Sequence, residues 1–403
     1  MAIKTFDGTK IPTTADGGAA LAAFLREMRA DSHFWQDEVT GAYHVLGYAQ
    51  TRGILHDPTH FSSDFSHLVP ESTEPGLRDH VNLGTIDPPK HRKYRSLVNQ
   101  AFTPKVIAGM ESRMAAVTDR LLGALDGLDE FDLVTNFASP LPAIVTAELL
   151  GVPAEDHSLF RTWAQVATGG AFDNPIGELN EVTVPDSVSE TFNQMREYLL
   201  EVAKERRKDP RNDLISRMIA AEIDGERLSD AEVYGLAASI LIGGQVSTTV
   251  LLGNALVALG ERPDAERDLR ADPSLIPGFL DETLRYYPPV VFAYRLAKNG
   301  AELDGTPVTD GTPVISWVMS ANRDEATFPH SETFDLRRDP NPHLSFGHGI
   351  HYCLGAPVLR MESRIAVAKL LERYATIECR NVDYHETPGV LGVRSIDLVV
   401  GRA

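Results

Sequence analysis

Hydrophobic and polar positions change period several times along this chain. From Gly18 to Met28 the apolar residues recur at helical spacing, which predicts an amphipathic helix. Around Phe34 to Leu46 the period shortens towards two, with Thr40-Gly41 between the halves, and a hairpin in a small sheet is expected. From Arg92 to about Lys208 the pattern is mainly helical, broken by Pro104 and by a polar, Gly/Pro-bearing stretch from Gly169 to Pro185 of a length usual for a lid. Lys204, Arg206, Arg207, Lys208 and Arg211 near its end read as a solvated basic helix terminus. Ser229-Asp230-Ala231-Glu232 is a capping-box signature, and a long apolar helix follows to about Gly260. At a rise of about 1.5 Å per residue it would span about 45 Å. Gly243-Gly244 is its weak point, through close helix packing or a kink that leaves room for a ligand. Mixed strands and turns follow from Ala293, then a helix from Ala356 to Tyr374 and strands around Leu398 to Val400.

With 403 residues the chain can bury a large core, and length alone suggests two or three domains, although no linker divides it. Its 43% hydrophobic and 24% charged residues are those of an ordinary globular protein. Lys plus Arg number 38 against 57 Asp plus Glu, and the resulting charge of -19 argues against nucleic acid or anionic membrane as partner. The N-terminus lacks an apolar leader and no unbroken apolar run approaches a membrane span, so a cytoplasmic protein is expected. Cys353 and Cys379 are too few for a disulfide framework.

The candidate chemistry lies in Phe346-Gly347-His348-Gly349-Ile350-His351-Tyr352-Cys353-Leu354-Gly355, one thiol among glycines. The glycines let backbone N–H groups approach the sulfur, and the helix after Gly355 turns its positive end towards it; both favour thiolate over thiol. A thiolate in a rigid, water-poor pocket suits haem iron as an axial ligand. Read alone, Cys353 is also an ordinary small buried hydrophobe. A zinc site from His343, His348, His351 and Cys353 is a further reading, but its spacing lacks paired ligand units. The order Phe-Gly-x-Gly-x-His-x-Cys-x-Gly resembles the haem-binding loop of the cytochrome P450 family.

Other segments agree in order. Glu282 and Arg285 lie three apart on a helix ended by Pro288-Pro289. By the resemblance they pair with Arg338, in Phe334-Asp335-Leu336-Arg337-Arg338, as a structural support under the haem. Asp87-Pro88-Pro89-Lys90-His91-Arg92-Lys93-Tyr94-Arg95 opens a helix that puts His91 and Arg95 on one face, a surface pair when read without the family. The resemblance makes these two, with Arg295 and His351, the partners of the haem propionates. Phe346, Gly347, Gly355, Gly243 and Gly244 are implied as further haem contacts. The long helix departs from the pattern: Val246 stands where the family's oxygen-activation segment has an acid, and valine relays no proton. Ser247, Thr248 and Gln245, ordered water or the substrate itself are left to deliver protons, with Ser247 at the usual threonine position.

The resemblance spans nearly the whole chain. It implies a mainly α fold with a minor β region, one roughly triangular domain over 1–403, haem b with a Cys353 ligand between long helix and thiol loop, and dioxygen as co-substrate. The activity implied is hydroxylation of a hydrophobic small molecule. An atypical oxidation with substrate-assisted proton delivery (epoxidation, ring formation or C–C coupling) and a non-catalytic haem sensor or carrier are the alternatives. No flavin or dinucleotide motif is fused to the chain, so electrons are expected from a separate ferredoxin and its reductase, docking on Arg92, Lys93, Lys105, Arg360 and Arg364 of a monomer. Pocket candidates by position are Leu68, Val81, Ser239, Ile240, Gly243, Val290, Phe292 and Val393.

Overall fold

The computed structural model describes residues 3–66, 81–168, 185–223 and 225–402. Leu68 and the expected lid up to residue 184 lie outside them. Helices carry most of the described chain. The helix expected from Gly18 runs over Ala19–Asp31 and buries Leu21, Leu25 and Met28, one stripe at helical spacing. Strands Phe34–Asp37 and Tyr43–Val45 pair antiparallel as the expected hairpin, turned at Gly41 with φ 72°. They form the middle of a six-stranded sheet ordered Lys4–Phe6, Phe34–Asp37, Tyr43–Val45, Pro313–Ser316, Ala293–Ala297 and Phe61–Ser62. Two pairs in that sheet, Lys4–Phe6 with Phe34–Asp37 and Pro313–Ser316 with Tyr43–Val45, are parallel.

Beneath this sheet Trp317 Nε1 donates to His44 Nδ1 at 2.9 Å, and His44 is 1% exposed. Burial holds its imidazole down to about 4, with Asp37 acting weakly the other way. The unfolded chain therefore binds this proton from about pH 6.5 downwards while the folded one refuses it. Stability contributed by neutral His44 is fully present above about 6.5 and is lost as pH falls towards 4, at most about 3 kcal/mol. Urea midpoints across that window should fall for the native chain and fall less steeply for His44→Gln.

The central helix runs over Asp230–Gly260 without interruption at Gly243-Gly244. Its start is the full capping box, Ser229 N–H donating to Glu232 Oε2 (2.7 Å) and Glu232 N–H to Ser229 Oγ (3.2 Å). By length and composition it could cross a membrane; its apolar residues are instead packed on several sides into the core, as expected of a helix apolar all round. Pro140–Leu150, Asp186–Lys208, Ile276–Tyr286 and Ala356–Arg373 all pack against it. Gly253 lets the strand Val393–Arg402 approach closely, since a Cβ there would collide with Val393 Cγ2.

The basic helix end differs from the expectation. Arg206 is 2% exposed, its Nε donating to Asp213 Oδ2 at 2.6 Å and its Nη2 to the Gly151 carbonyl at 2.9 Å. Arg207 pairs with Asp230 at the start of the central helix. Seven residues on, Asp213 folds back to cover Arg206, so one cation of the run is a buried clamp and not a solvated charge.

Candidate active site

The thiol loop is built by glycine geometry and backbone bonds. Gly347 (φ 70°) and Gly349 (φ 71°) sit in the left-handed region, and a Cβ on Gly349 would lie 2.8 Å from the Leu55 carbonyl oxygen. Cys353 N–H donates to the Phe346 carbonyl at 2.9 Å, and the N–H groups of Gly355 and Ala356 face the sulfur from the start of Ala356–Arg373. The Gly355 and Ala356 amides act on the sulfur in the expected sense, towards thiolate, against burial. Burial pushes the Cys353 thiol up, outweighing the Gly355 and Ala356 amides, Arg95 and Arg360, which pull it down. The charge of a bound metal ion would favour the thiolate here.

Across from Cys353 lies a cavity of about 210 Å³. Cys353, Leu354 and Gly355 line one wall, and Ser239, Ile240, Gly243, Gly244, Ser247 and Thr248 of the central helix the other. The glycine pair serves both readings. Nothing lies within 4 Å of a Cβ built on Gly243, whereas one on Gly244 would stand 3.0 Å from Thr146 Oγ1. Ser247 Oγ donates to the Gly243 carbonyl (3.4 Å) and Thr248 Oγ1 to that of Gly244 (3.2 Å). Gln245 is buried and turned to Ser139 Oγ (3.5 Å), outside the cavity lining.

At the edge of this region two histidines and two arginines gather. The rings of His91 and His351 are 4.3 Å apart, and the buried Nε2 of each finds no partner among the described residues. His351 Nδ1 donates to the Leu83 carbonyl (3.0 Å), and burial together with His91 and Arg295 pushes its imidazole down to about 4. Arg295 is 8% exposed, bonds the Tyr294 carbonyl and is pushed down to about 10 by burial. Burial also lowers Arg95. The nearby acid, Asp87, is occupied by Lys298 (2.5 Å) and Ser62 Oγ (2.7 Å). Two desolvated guanidinium groups, beside imidazoles whose Nε2 would gain a proton next to a negative charge, fit a buried multi-oxygen anion, and the carboxylates of a haem meet that demand. The chain without haem should gain stability in Arg295→Met, measured by urea unfolding, while the haem-bound form loses haem roughly 10–100-fold faster to a scavenging globin, the effect of about 1.5–3 kcal/mol per charge-assisted bond.

Residues 40–391 match the family described as Cytochrome P450. The chain is a cytochrome P450. Cyclomarin C epoxidase CymV of Salinispora arenicola is 38% identical over 96% of this chain and 98% of its own. Erythromycin C-12 hydroxylase of Saccharopolyspora erythraea is 36% identical over 98% of each. The ligand-free structure of cytochrome P450 TbtJ1 superposes with a TM-score of 0.88 at 40% identity, over 97% of this chain and all of that one. The chain is thus a haem-iron monooxygenase, an oxidoreductase related to enzymes of bacterial secondary metabolism.

In this P450 the expected support triad is assembled. Arg285 donates through Nε and Nη2 to Glu282 (2.8 and 2.7 Å), and Arg338 Nε approaches the same carboxylate at 3.3 Å. Of the pocket candidates, Ser239, Ile240 and Gly243 line the cavity. Val81 packs against the neighbouring helical core, Phe292 stacks edge-on to Trp317 (5.3 Å), Val393 abuts Gly253 and Val290 bridges to Val390; all four stand outside this lining. Among the described residues no three His, Cys, Asp or Glu side chains gather to hold a metal ion, which leaves the zinc reading without its ligands. Of the five docking cations, Lys93 pairs with Glu226, Arg360 with Asp281 and Arg364 with Glu111. Sequence reasoning passed over Asn82, Leu83, Thr146 and Glu362, which line the cavity from distant segments.

Proposed function

We propose that this P450 oxidises an apolar natural product by hydroxylation or epoxidation, within one domain over 1–403. The observation that carries the reading is a cavity bounded by Cys353 on one wall and by open Gly243 and two hydroxyls on the other, with two desolvated arginines and two unpartnered imidazole nitrogens at its edge. Cys353 would hold haem iron, and His91, Arg95, Arg295 and His351 its propionates. When bound, thiolate-ligated haem iron supplies the activation of dioxygen. The chain's part is to bind and orient the substrate, exclude water and hold protons at stated oxygens. Open space at Gly243 and the side chain of Ile240 suit an apolar group, the usual lining of a small-molecule pocket. Two relatives that act on natural products, one an epoxidase and one a hydroxylase, support that substrate class and leave both outcomes open.

Electrons would come from a separate ferredoxin and its reductase in the cytoplasm. With three candidate cations internally paired, Arg92 and Lys105 are the charges left for that contact among the described residues. The test is spectroscopic first: the reduced carbon monoxide complex should show the red-shifted Soret band of thiolate ligation, and apolar ligands should shift the spin state. A colourless protein would overturn the reading.

Ser247 and Thr248 both bond the carbonyl four residues back, leaving each hydroxyl oxygen free to accept a proton donor. Ser247→Ala should lower product per NAD(P)H by about tenfold and raise peroxide, since general acid–base groups contribute at least that much. Thr248→Ala, in the more buried position, should cost less. Product and peroxide assays with a surrogate ferredoxin system check the ranking.

A further inference from the structure

A second cavity, of about 320 Å³, lies against the helix Pro140–Leu150, and its volume falls within the roughly 300–1,000 Å³ of small-molecule sites. Met110, Met114, Val145 and Leu214 line it and are buried, so its inner part is apolar. Lys105, Arg113 and Arg217 line it too and are exposed. Neither Lys105 nor Arg113 has an ion pair among the described residues, and Arg217 Nη2 donates to the neutral Asn212 Oδ1 at 2.6 Å. The two acids of the lining are already answered. Asp213 accepts from Arg206 Nε (2.6 Å) and the Ser216 N–H (2.7 Å), and Glu148 lies 4.0 Å from Arg120. On a chain of charge -19, three cations gathered on one apolar hollow are a local reversal of sign. The hollow also shares walls with the cavity beside Cys353. Leu149 lines both, and Phe102 lines the one while Thr103 lines the other. Phe102 closes the helix Lys90–Ala101, which carries His91 and Arg95.

We propose that this second cavity binds an amphipathic organic anion, a carboxylate or phosphate head on a medium-length apolar chain, and that its occupancy tunes ligand binding beside Cys353. The head meets Arg113, Arg217 and Lys105, since guanidinium forks suit groups that offer two oxygens together. The chain lies along Met110, Met114, Val145 and Leu214, where the flexible thioethers adapt to its shape. A ligand packed on Leu149 shifts a side chain that also borders the active cavity, and the two ligands then change each other's affinity by the same factor. The effect on the active cavity rests on the haem reading, whereas the binding itself does not.

The test is calorimetry on haem-loaded protein with decanoate, decyl phosphate and decanol, phenylimidazole being bound to the iron to close the active cavity. Each anion should bind once per chain, and decanol at least about tenfold more weakly. Arg113 and Arg217 are exposed, so reversing them leaves the core intact. Arg113→Glu with Arg217→Glu should weaken both anions by about tenfold or more, while Lys204→Glu with Lys208→Glu, an equal change of net charge elsewhere, should leave them within about twofold. The tighter of the two heads tells a fatty acid from an organic phosphate as the source. Saturating decanoate should also change the phenylimidazole Kd, read from the Soret band, by about fivefold in the native protein and not in the Arg113→Glu, Arg217→Glu variant. No binding with the active cavity closed, decanol as tight as decanoate, or equal affinity in the reversed variant would overturn the site. A phenylimidazole Kd that decanoate leaves unchanged, or changes equally in both proteins, would overturn the coupling. The carbon monoxide band, recorded on each protein, keeps these failures separate from failure of the haem-thiolate reading.

Discussion

Replacing Cys353 with Ser should remove the red-shifted carbon monoxide band and abolish product formation while leaving the chain folded. The thiol stands in a loop whose shape does not depend on it. Gly347 and Gly349 hold their positive φ, and the Cys353 amide keeps its bond to Phe346, in either variant. Serine nearly matches cysteine in volume, so the cavity wall survives. What is lost is the soft, ionisable sulfur. A serine hydroxyl has no comparable tendency to give up its proton, and without a thiolate the electron density that favours O–O cleavage is gone. The loss should exceed the roughly 10–100-fold that partners behind a metal ligand cost when removed. Thermal unfolding close to the native value, together with a carbon monoxide band at the shorter wavelength of non-thiolate haem, would show that the change is confined to ligation. A retained red-shifted band in Cys353→Ser would refute the assignment of the ligand.

The second large effect falls on stability. Glu282 and Arg285 are both 0% exposed, and the carboxylate of Glu282 also receives Asn341 Nδ2 (3.1 Å) and the Asp335 N–H (2.7 Å). Arg285 Nη1 in turn donates to the carbonyls of Asn322 and Ser331. One carboxylate thus ties the helix Ile276–Tyr286 to a meander that has no regular backbone bonding of its own, through residues 322 to 341. Glu282→Gln keeps the shape but leaves a buried guanidinium without its counter-charge, at a cost of about 3–5 kcal/mol. Urea unfolding should show a lower midpoint and the variant should lose haem on purification. The half-buried pair Arg360–Asp281 gives the contrast: Arg360→Ala should move the midpoint by no more than about 1 kcal/mol. Equal effects at the two sites would mean that burial does not set the strength of these pairs.

Much of this was legible along the chain. The Ser229–Glu232 cap, the apolar helix behind it, the Phe34–Val45 hairpin and the glycine-caged thiol are local devices. Each works through groups a few residues apart, so spacing and residue type carry the information. Glu282 with Arg285 was visible as an i, i+3 pair, but whether it was a surface pair or a buried anchor was not. The same ambiguity hid Arg206, which reads as one more charge on a basic helix end until Asp213 folds over it. Glu362 was passed over along the chain and is buried against a cavity.

The sequence by itself therefore determined the family, the ligand type and the absence of an acid at Val246, because these depend on which atoms are present and on short-range spacing. Only the tertiary structure decided which charges lose water. His91 meets His351 from 260 positions away in the chain, Arg295 is stripped of an anion because Lys298 and Ser62 occupy Asp87, and Cys353 is pushed towards the thiol by its surroundings. Desolvation is set by everything packed around a group, and that packing is assembled from distant segments.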